Sequence, residues 1–194
     1  MLPIREKTPD TEGSAIHYDS VTVLLHWLTF VLVILLFALA ETWGFLEHGT
    51  SLRKELQSLH ISLGIVFAAV IVIRLIWRAV AGRHLPTAGE GHAALVAKIM
   101  HFSLYILLVT QIVTGFLYRW AQAESFMFFG LFPVRFATSV NITLAHTFDD
   151  IHDSIAWTII VVAALHSVAA LLHHYALKDN VLKRMLPKKI RAPY

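Results

Sequence analysis

Four long apolar stretches divide the chain, at residues 21–40, 56–77, 99–118 and 154–177. Three of them contain no Asp, Glu, Lys or Arg, and the second contains one, Arg74. Each reaches the roughly 20 residues that a helix needs to cross the hydrocarbon of a bilayer. The pattern predicts an all-α integral membrane protein, a bundle of four transmembrane helices at about 20–41, 56–79, 97–118 and 148–177. The whole chain, 1–194, reads as a single membrane domain ending in a basic tail at 178–194. Residues 41–55 form a first outer loop, 80–97 an inner loop containing Pro86, and 119–147 a longer, phenylalanine-rich outer loop at the interface. Trp27, Trp43, Trp77, Trp120 and Trp157 mostly fall near predicted span ends, as an aromatic belt does.

Composition sharpens this picture. The chain is 57% hydrophobic and 15% charged, where soluble domains carry about 25% charged residues. Residues 1–20 mix charges of both signs with proline and lack the basic patch and short apolar core of a signal peptide, so the first apolar run is expected to be retained. There is no cysteine, which removes disulfides, iron–sulfur clusters, thiolate ligation and covalently attached haem. A redox metal must then be held by histidine or methionine. Twelve of the sixteen Lys and Arg residues fall with the two termini and the inner loop, and four (Arg53, Lys54, Arg119, Arg135) fall on the other side. The positive-inside rule places both termini in the cytoplasm. A basic tail beside a membrane helix is expected to grip anionic lipid rather than nucleic acid.

Polar side chains within a span are costly and tend to be functional, and the last span keeps His152, His166, His173 and His174 in or beside it. His152 and His166 are 14 residues apart, which returns them to one helix face about 21 Å apart along the axis. That spacing suits two redox centres, one near each surface, and two facing imidazoles can ligate one haem iron. Zinc or di-iron sites want carboxylates in the core, and these spans have none. Matching depths pairs His26 with His166 in the inner half and His60 with His152 in the outer half. Arg74 lies 14 residues after His60, at the depth of the inner centre. There it either pairs with a haem propionate or is an ordinary helix-end arginine. Arg78, one turn on, has the same choice or snorkels. Gly64, one turn after His60, either admits a flat macrocycle or simply packs. His101 is a rival inner ligand, a propionate partner or a quinone contact. His173 lies about 10 Å beyond His166, too far for the same iron but placed for a substrate at the haem edge. His174 is a second-tier candidate beside it, with Lys178 and Asp179. His146 with Asp149, Asp150, His152 and Asp153 looks like a metal cluster, but acids at a helix N-terminus complementing its dipole are the simpler reading. His17, His48, His84 and His92 fall outside the spans and are expected to be solvated.

The segments "LLHWLTF", "LHISLGI", "IRLIWR" and "ALHSVAALLHHYALKDNVLKRMLP" resemble the bacterial cytochrome b561 family, most closely its superoxide oxidase members, over about residues 17–190. The resemblance implies a four-helix inner-membrane protein holding two non-covalent b-type haems, with His26, His60, His152 and His166 as the metal ligands. It implies that periplasmic superoxide gives an electron to the outer haem, that the electron crosses to the inner haem, and that two such electrons reduce ubiquinone. His173 is then the catalytic proton relay to the quinone, with Arg74, Arg78, His101 and His174 as further cofactor-binding candidates. No protein partner is required. The four outer cations face Glu41, Glu47, Glu55, Glu124 and three aspartates, so a funnel for an anion has to be local. Two other readings stand beside this one. The first is a quinone-linked cytochrome b subunit that exchanges electrons with a dehydrogenase or hydrogenase. The second is a haem-free channel using histidine proton relays, which would be colourless.

Overall fold

A computed structural model of the chain describes residues 17–85 and 91–187. Pro86, the N-terminal cations Arg5 and Lys7, and the tail cations Lys188, Lys189 and Arg191 lie outside the described residues. Four helices, α1 (Ser20–Gly44), α2 (Ser51–Val80), α3 (Gly91–Gln122) and α4 (Ile142–Tyr175), account for most of what is described. All four are long and apolar enough to cross a membrane. Between α3 and α4 lies a hairpin of β1 (Phe126–Phe128) and β2 (Phe132–Val134), and a short 3-10 helix (Leu182–Met185) follows α4. The end of the bundle carrying the hairpin and the α1–α2 connection is here the outer end, and the end carrying both chain ends is the inner end.

The helices outrun the predicted spans. α2 begins at Ser51 rather than near 56, taking in Arg53, Lys54 and Glu55, and α4 begins at Ile142 rather than near 148. In α2 the added first turn is charged, and in α4 Asp149, Asp150 and Asp153 separate residues 142–148 from the apolar run, so hydropathy stops short of both helix starts. The first outer loop therefore shrinks to Phe45–Thr50, spanned by Arg53, whose Nη1 donates to the Trp43 and Leu46 carbonyls at 2.8 Å each. Asn141 caps α4, its side chain accepting from the Leu144 N–H at 3.1 Å.

α1 packs on α2 and α3 on α4, and the contact between α2 and α3 is lighter. A central core of Leu25, Leu32, Phe67, Val70, Ile71, Leu108 and Ile159 joins all four helices. Outside that core the helices expose apolar side chains such as Leu24, Ile76, Ile99, Leu165 and Leu172, the surface expected where lipid replaces water. Intrahelical hydroxyls stay satisfied at depth: Thr29, Thr110 and Ser167 each donate to the carbonyl four residues back.

The hairpin is the element that hydropathy missed. It docks on α2 through two serines: Ser62 Oγ accepts from the Phe129 N–H at 3.0 Å and donates to the Ser58 carbonyl at 2.7 Å, and Ser58 Oγ accepts from the Met127 N–H at 3.4 Å. Phe126 is buried against Phe136, which also meets Phe116 on α3. The phenylalanines thus wall the outer gap between α2 and α3.

The inner end is tied by Asp19. Its carboxylate accepts from the Thr22 N–H and hydroxyl, from Trp77 Nε1 on α2 and from the Arg83 N–H. Partial burial opposes ionisation there, but the hydrogen bonds from Thr22, Arg83 and Trp77 outweigh it and hold the carboxyl well below the usual carboxylate range. Trp27 Nε1 donates to the Met185 carbonyl at 2.8 Å, fastening the 3-10 helix to α1. Trp27 and Trp77 therefore knit the fold in addition to any role in a belt.

Candidate functional site

The outer end of the bundle encloses a cavity of about 500 Å³, lined by all four helices, within the size range of ligand and cofactor sites. His60 on α2 and His152 on α4 both line it, with ring centres 6.4 Å apart. Each ring is fixed by its far nitrogen. His60 Nδ1 donates to the Leu36 carbonyl of α1 at 3.0 Å, and His152 Nδ1 to the Gln111 carbonyl of α3 at 3.1 Å. A carbonyl only accepts, so each Nδ1 carries the proton and each Nε2 keeps its lone pair. Trp43 stacks edge-on to His60 at 4.9 Å.

Two glycines shape the space around this pair. A Cβ on Gly64 would meet nothing within 4 Å, so this face of α2 stays open to the cavity it lines. A Cβ on Gly115 would lie 2.9 Å from His152 Cε1, so α3 approaches the imidazole as closely as only glycine allows.

The inner pair has the same spacing. His26 on α1 and His166 on α4 have ring centres 6.4 Å apart. Arg74 reaches this pair, its Nη2 donating to His26 Nδ1 at 3.2 Å while its guanidinium lies 5.2 Å from the Tyr105 ring. His101 on α3 joins the group with its ring centre 5.2 Å from that of His166, but its Nδ1 donates to the Ala97 carbonyl of its own helix. Three imidazoles meet here, yet among the described residues no three His, Cys, Asp or Glu converge to hold a bare ion.

The remaining expected site residues take other places. Arg78 donates to the Arg83 carbonyl at 2.9 Å and lies over the Tyr18 ring, within the inner knot. His173 Nδ1 meets Asp179 Oδ2 at 2.5 Å. His174 stacks on Tyr175, and its Nδ1 is buried without a hydrogen-bond partner. Asp149, Asp150 and Asp153 do not sit at the N-terminus of α4, because the helix begins seven residues before Asp149 and its first turn holds no acid. They line the outer cavity, with Glu41, Glu124, Arg53 and Arg119.

One cavity residue, Gln111, was missed from the sequence. Gln111 Nε2 donates to His152 Nε2 at 3.1 Å, and its Oε1 is buried without a partner. A glutamine in an apolar run, four residues before Gly115, was the available clue.

The residues fit a bis-imidazole metal group. Two ring nitrogens on opposite sides of one metal, at about 2.0 Å each, put the ring centres a little over 6 Å apart, which is the separation of both pairs. The outer pair adds a cavity, two Nδ1 protons fixed by carbonyl partners so that Nε2 is the ligating nitrogen (that of His152 accepting here from Gln111 Nε2), and an open glycine face. At the inner pair Arg74 supplies a cation beside the imidazoles, suited to a carboxylate on the bound group.

The prokaryotic cytochrome b561 family matches residues 17–188. The chain is 30% identical to cytochrome b561 homolog 2 of Escherichia coli K12 over 88% of its own length and 92% of the relative's. It is 32% identical to the probable superoxide oxidase CybB of Yersinia pestis over 89% and 97%, and 27% identical to cytochrome b561 homolog 1 of E. coli K12 over 89% and 98%. With four membrane-length helices, two matched histidine pairs and a family match over nearly its whole length, this chain belongs to the prokaryotic cytochrome b561 family, membrane electron-transfer proteins that carry b-type haem.

Proposed function

We propose that the chain is a diheme superoxide:ubiquinone oxidoreductase of the bacterial inner membrane, with both termini in the cytoplasm. The balanced reaction takes two superoxide anions, one quinone and two protons to two O₂ and one quinol. The two equal histidine pairs at opposite ends of the bundle carry the reading, and the likeness to the Yersinia protein supports the choice of donor.

His60 and His152 would hold the outer haem and His26 and His166 the inner one. Haem supplies one-electron redox chemistry, which joins a one-electron donor to a two-electron acceptor across the membrane. The Leu36 and Gln111 carbonyls keep the outer imidazoles in the ligating tautomer. Arg74 balances carboxylate charge at the inner pair, and His101 packs beside His166 as a wall of that site. The apolar core centred on Phe67 and Ile159 excludes water between the two pairs. His173 delivers protons to the quinone at the inner end, and the basic tail holds anionic lipid there.

The charge of the cavity lining bears on the donor. Arg53 and Arg119 face Glu41, Glu124 and three aspartates there, an excess of negative charge that does not favour an anion at long range. This observation favours a second reading, a quinone-linked cytochrome b subunit fed by a dehydrogenase or hydrogenase at the outer face. Anaerobic rapid mixing of the oxidised, detergent-purified protein with superoxide separates them. Fast appearance of reduced haem bands, reversed only when a soluble quinone is added, supports the oxidase. Bands that ignore superoxide but respond to quinol support the subunit.

A further inference from the structure

The end of α4 is built around a histidine–carboxylate pair. After Tyr175 the chain turns back at Lys178, whose φ of 53° lies in the left-handed region that a lysine rarely occupies. The turn brings Asp179 onto the last turn of the helix. Its backbone N–H donates to the His173 carbonyl at 3.1 Å, its Oδ2 accepts from His173 Nδ1–H at 2.5 Å, and its Oδ1 accepts from the Val181 N–H at 3.0 Å. The carboxylate is thus fixed at both oxygens and through its own backbone, and it can only accept. His173 Nδ1 must donate, so Nε2 is the nitrogen left to exchange a proton with a substrate. The neighbouring imidazoles lack this arrangement: His174 Nδ1 has no partner, and His101 Nδ1 is spent on its own helix. Both members of the pair remain partly open, with side-chain exposures of 33% and 38%. The slight burial of Asp179 opposes ionisation, but His173, the Val181 N–H and the charge of Arg184 hold its carboxyl below the usual range.

We infer that Asp179 is a positioning residue for proton delivery to the quinone. It fixes the His173 ring and tautomer, so that Nε2 serves as the proton donor, and it stabilises the imidazolium before transfer. The inference rests on the quinone reading above. Reduction of one quinone consumes two electrons, supplied singly by two superoxide anions, and two protons. In each proton step the His173 Nε2–H bond breaks and a quinone O–H bond forms. The ring is left neutral with its remaining proton on Nδ1, toward Asp179, and Nε2 is reprotonated from water at the inner surface. His174, Tyr175, Lys178, Lys183 and Arg184 are the other titratable or charged groups of the helix end, turn and 3-10 helix. All of them are cationic or neutral, which leaves Asp179 as the negative charge that supports the imidazolium.

The test compares full-length Asp179→Asn, Asp179→Glu and His173→Ala with wild type, using superoxide and a soluble quinone. Asp179→Asn is expected to lower quinone turnover about tenfold, a small part of what general acid catalysis contributes, with KM for quinone unchanged. Haem content and the rate of haem reduction by superoxide before quinone is added should stay at wild-type values. Asp179→Glu should recover most of the loss, and His173→Ala should match or exceed it. Wild-type turnover in Asp179→Asn overturns the inference. So does an equal fall in haem content or in the first step, since either marks a structural role. If wild-type protein ignores superoxide, the donor assignment fails, and the same variants are read in quinol oxidation, where Nε2 accepts the proton. Loss of the difference between Asp179→Asn and wild type in that direction overturns the inference as well.

Discussion

At the scale of single residues, the outer pair is defined by which nitrogen of each histidine carries the proton. His60 and His152 spend Nδ1 on carbonyls of neighbouring helices, so alanine at either removes a proposed haem ligand together with the contact that orients it. His60→Ala is expected to lose about half the haem per protein, because the inner pair uses other residues. A pyridine haemochrome assay against protein concentration reads this directly, and His26→Ala should give the complementary loss. Gly115→Ala is subtler. Its Cβ would stand 2.9 Å from His152 Cε1 and 3.3 Å from Nδ1, against a ring held between α3 and α4. The ring must turn and weaken its bond to the Gln111 carbonyl, so lower haem occupancy is expected, with the bundle intact by circular dichroism. The spacing of four histidines was legible in the sequence because helix geometry converts residue number into depth and face. The contacts that orient them were not. Leu36 and Gln111 act through main-chain carbonyls, which every residue has, and the register of one helix against another decides which carbonyl is met. Asp179 was visible as a charge in "KDN", but its pairing with His173 depends on a left-handed Lys178 that no propensity predicts.

At the scale of elements, hydropathy located the four helices and misplaced their ends, since charged residues near the start of α2 and the aspartates at 149, 150 and 153 of α4 interrupt the apolar signal while the helix runs on. The hairpin escaped for a related reason. Its strands are three residues each, and its turn places Phe129 (φ 47°) and Gly130 (φ 75°) in the left-handed region, where Asn-Gly would have been the recognisable pair. What holds it is Ser62, fully buried, whose hydroxyl satisfies the Phe129 N–H. Ser62→Ala strands that donor, at a cost of about 1–3 kcal/mol. The expected result is a lower melting temperature in detergent and earlier proteolysis between α3 and α4, with haem still bound until the hairpin opens. The inner knot behaves differently. Asp19→Ala removes the α1 cap and the ties to Trp77 and Arg83 together, and cap loss alone costs about 0.5–2 kcal/mol. The fold depresses the Asp19 pKa, so its contribution is fully present above the unfolded value of about 3.9 and is lost only as pH falls through the lower folded value. Melting curves should therefore show a difference between wild type and Asp19→Ala that is constant from about pH 5 to 8 and shrinks under strong acid.

At the scale of the whole molecule, two like halves meet at an apolar middle. Phe67 stands midway between His60 and Arg74, Ile159 midway between His152 and His166, and both belong to the central core. The proposed function needs these halves to face opposite compartments, because a superoxide anion does not cross hydrocarbon at a useful rate. The chain is suited to a direct test, as it contains no cysteine. A single cysteine at Glu47, in the α1–α2 connection, reports on the end that holds His60 and His152. One at Lys183, in the 3-10 helix, reports on the end that holds His173, and both positions are exposed. Labelling of intact cells, with the periplasm opened to a membrane-impermeant maleimide, should modify Glu47→Cys at once and Lys183→Cys only after lysis. The opposite pattern would put the quinone-side histidine in the periplasm. The twelve-to-four distribution of cations would then have misled, and the outer cavity would open on the cytoplasm, where periplasmic superoxide could not reach it.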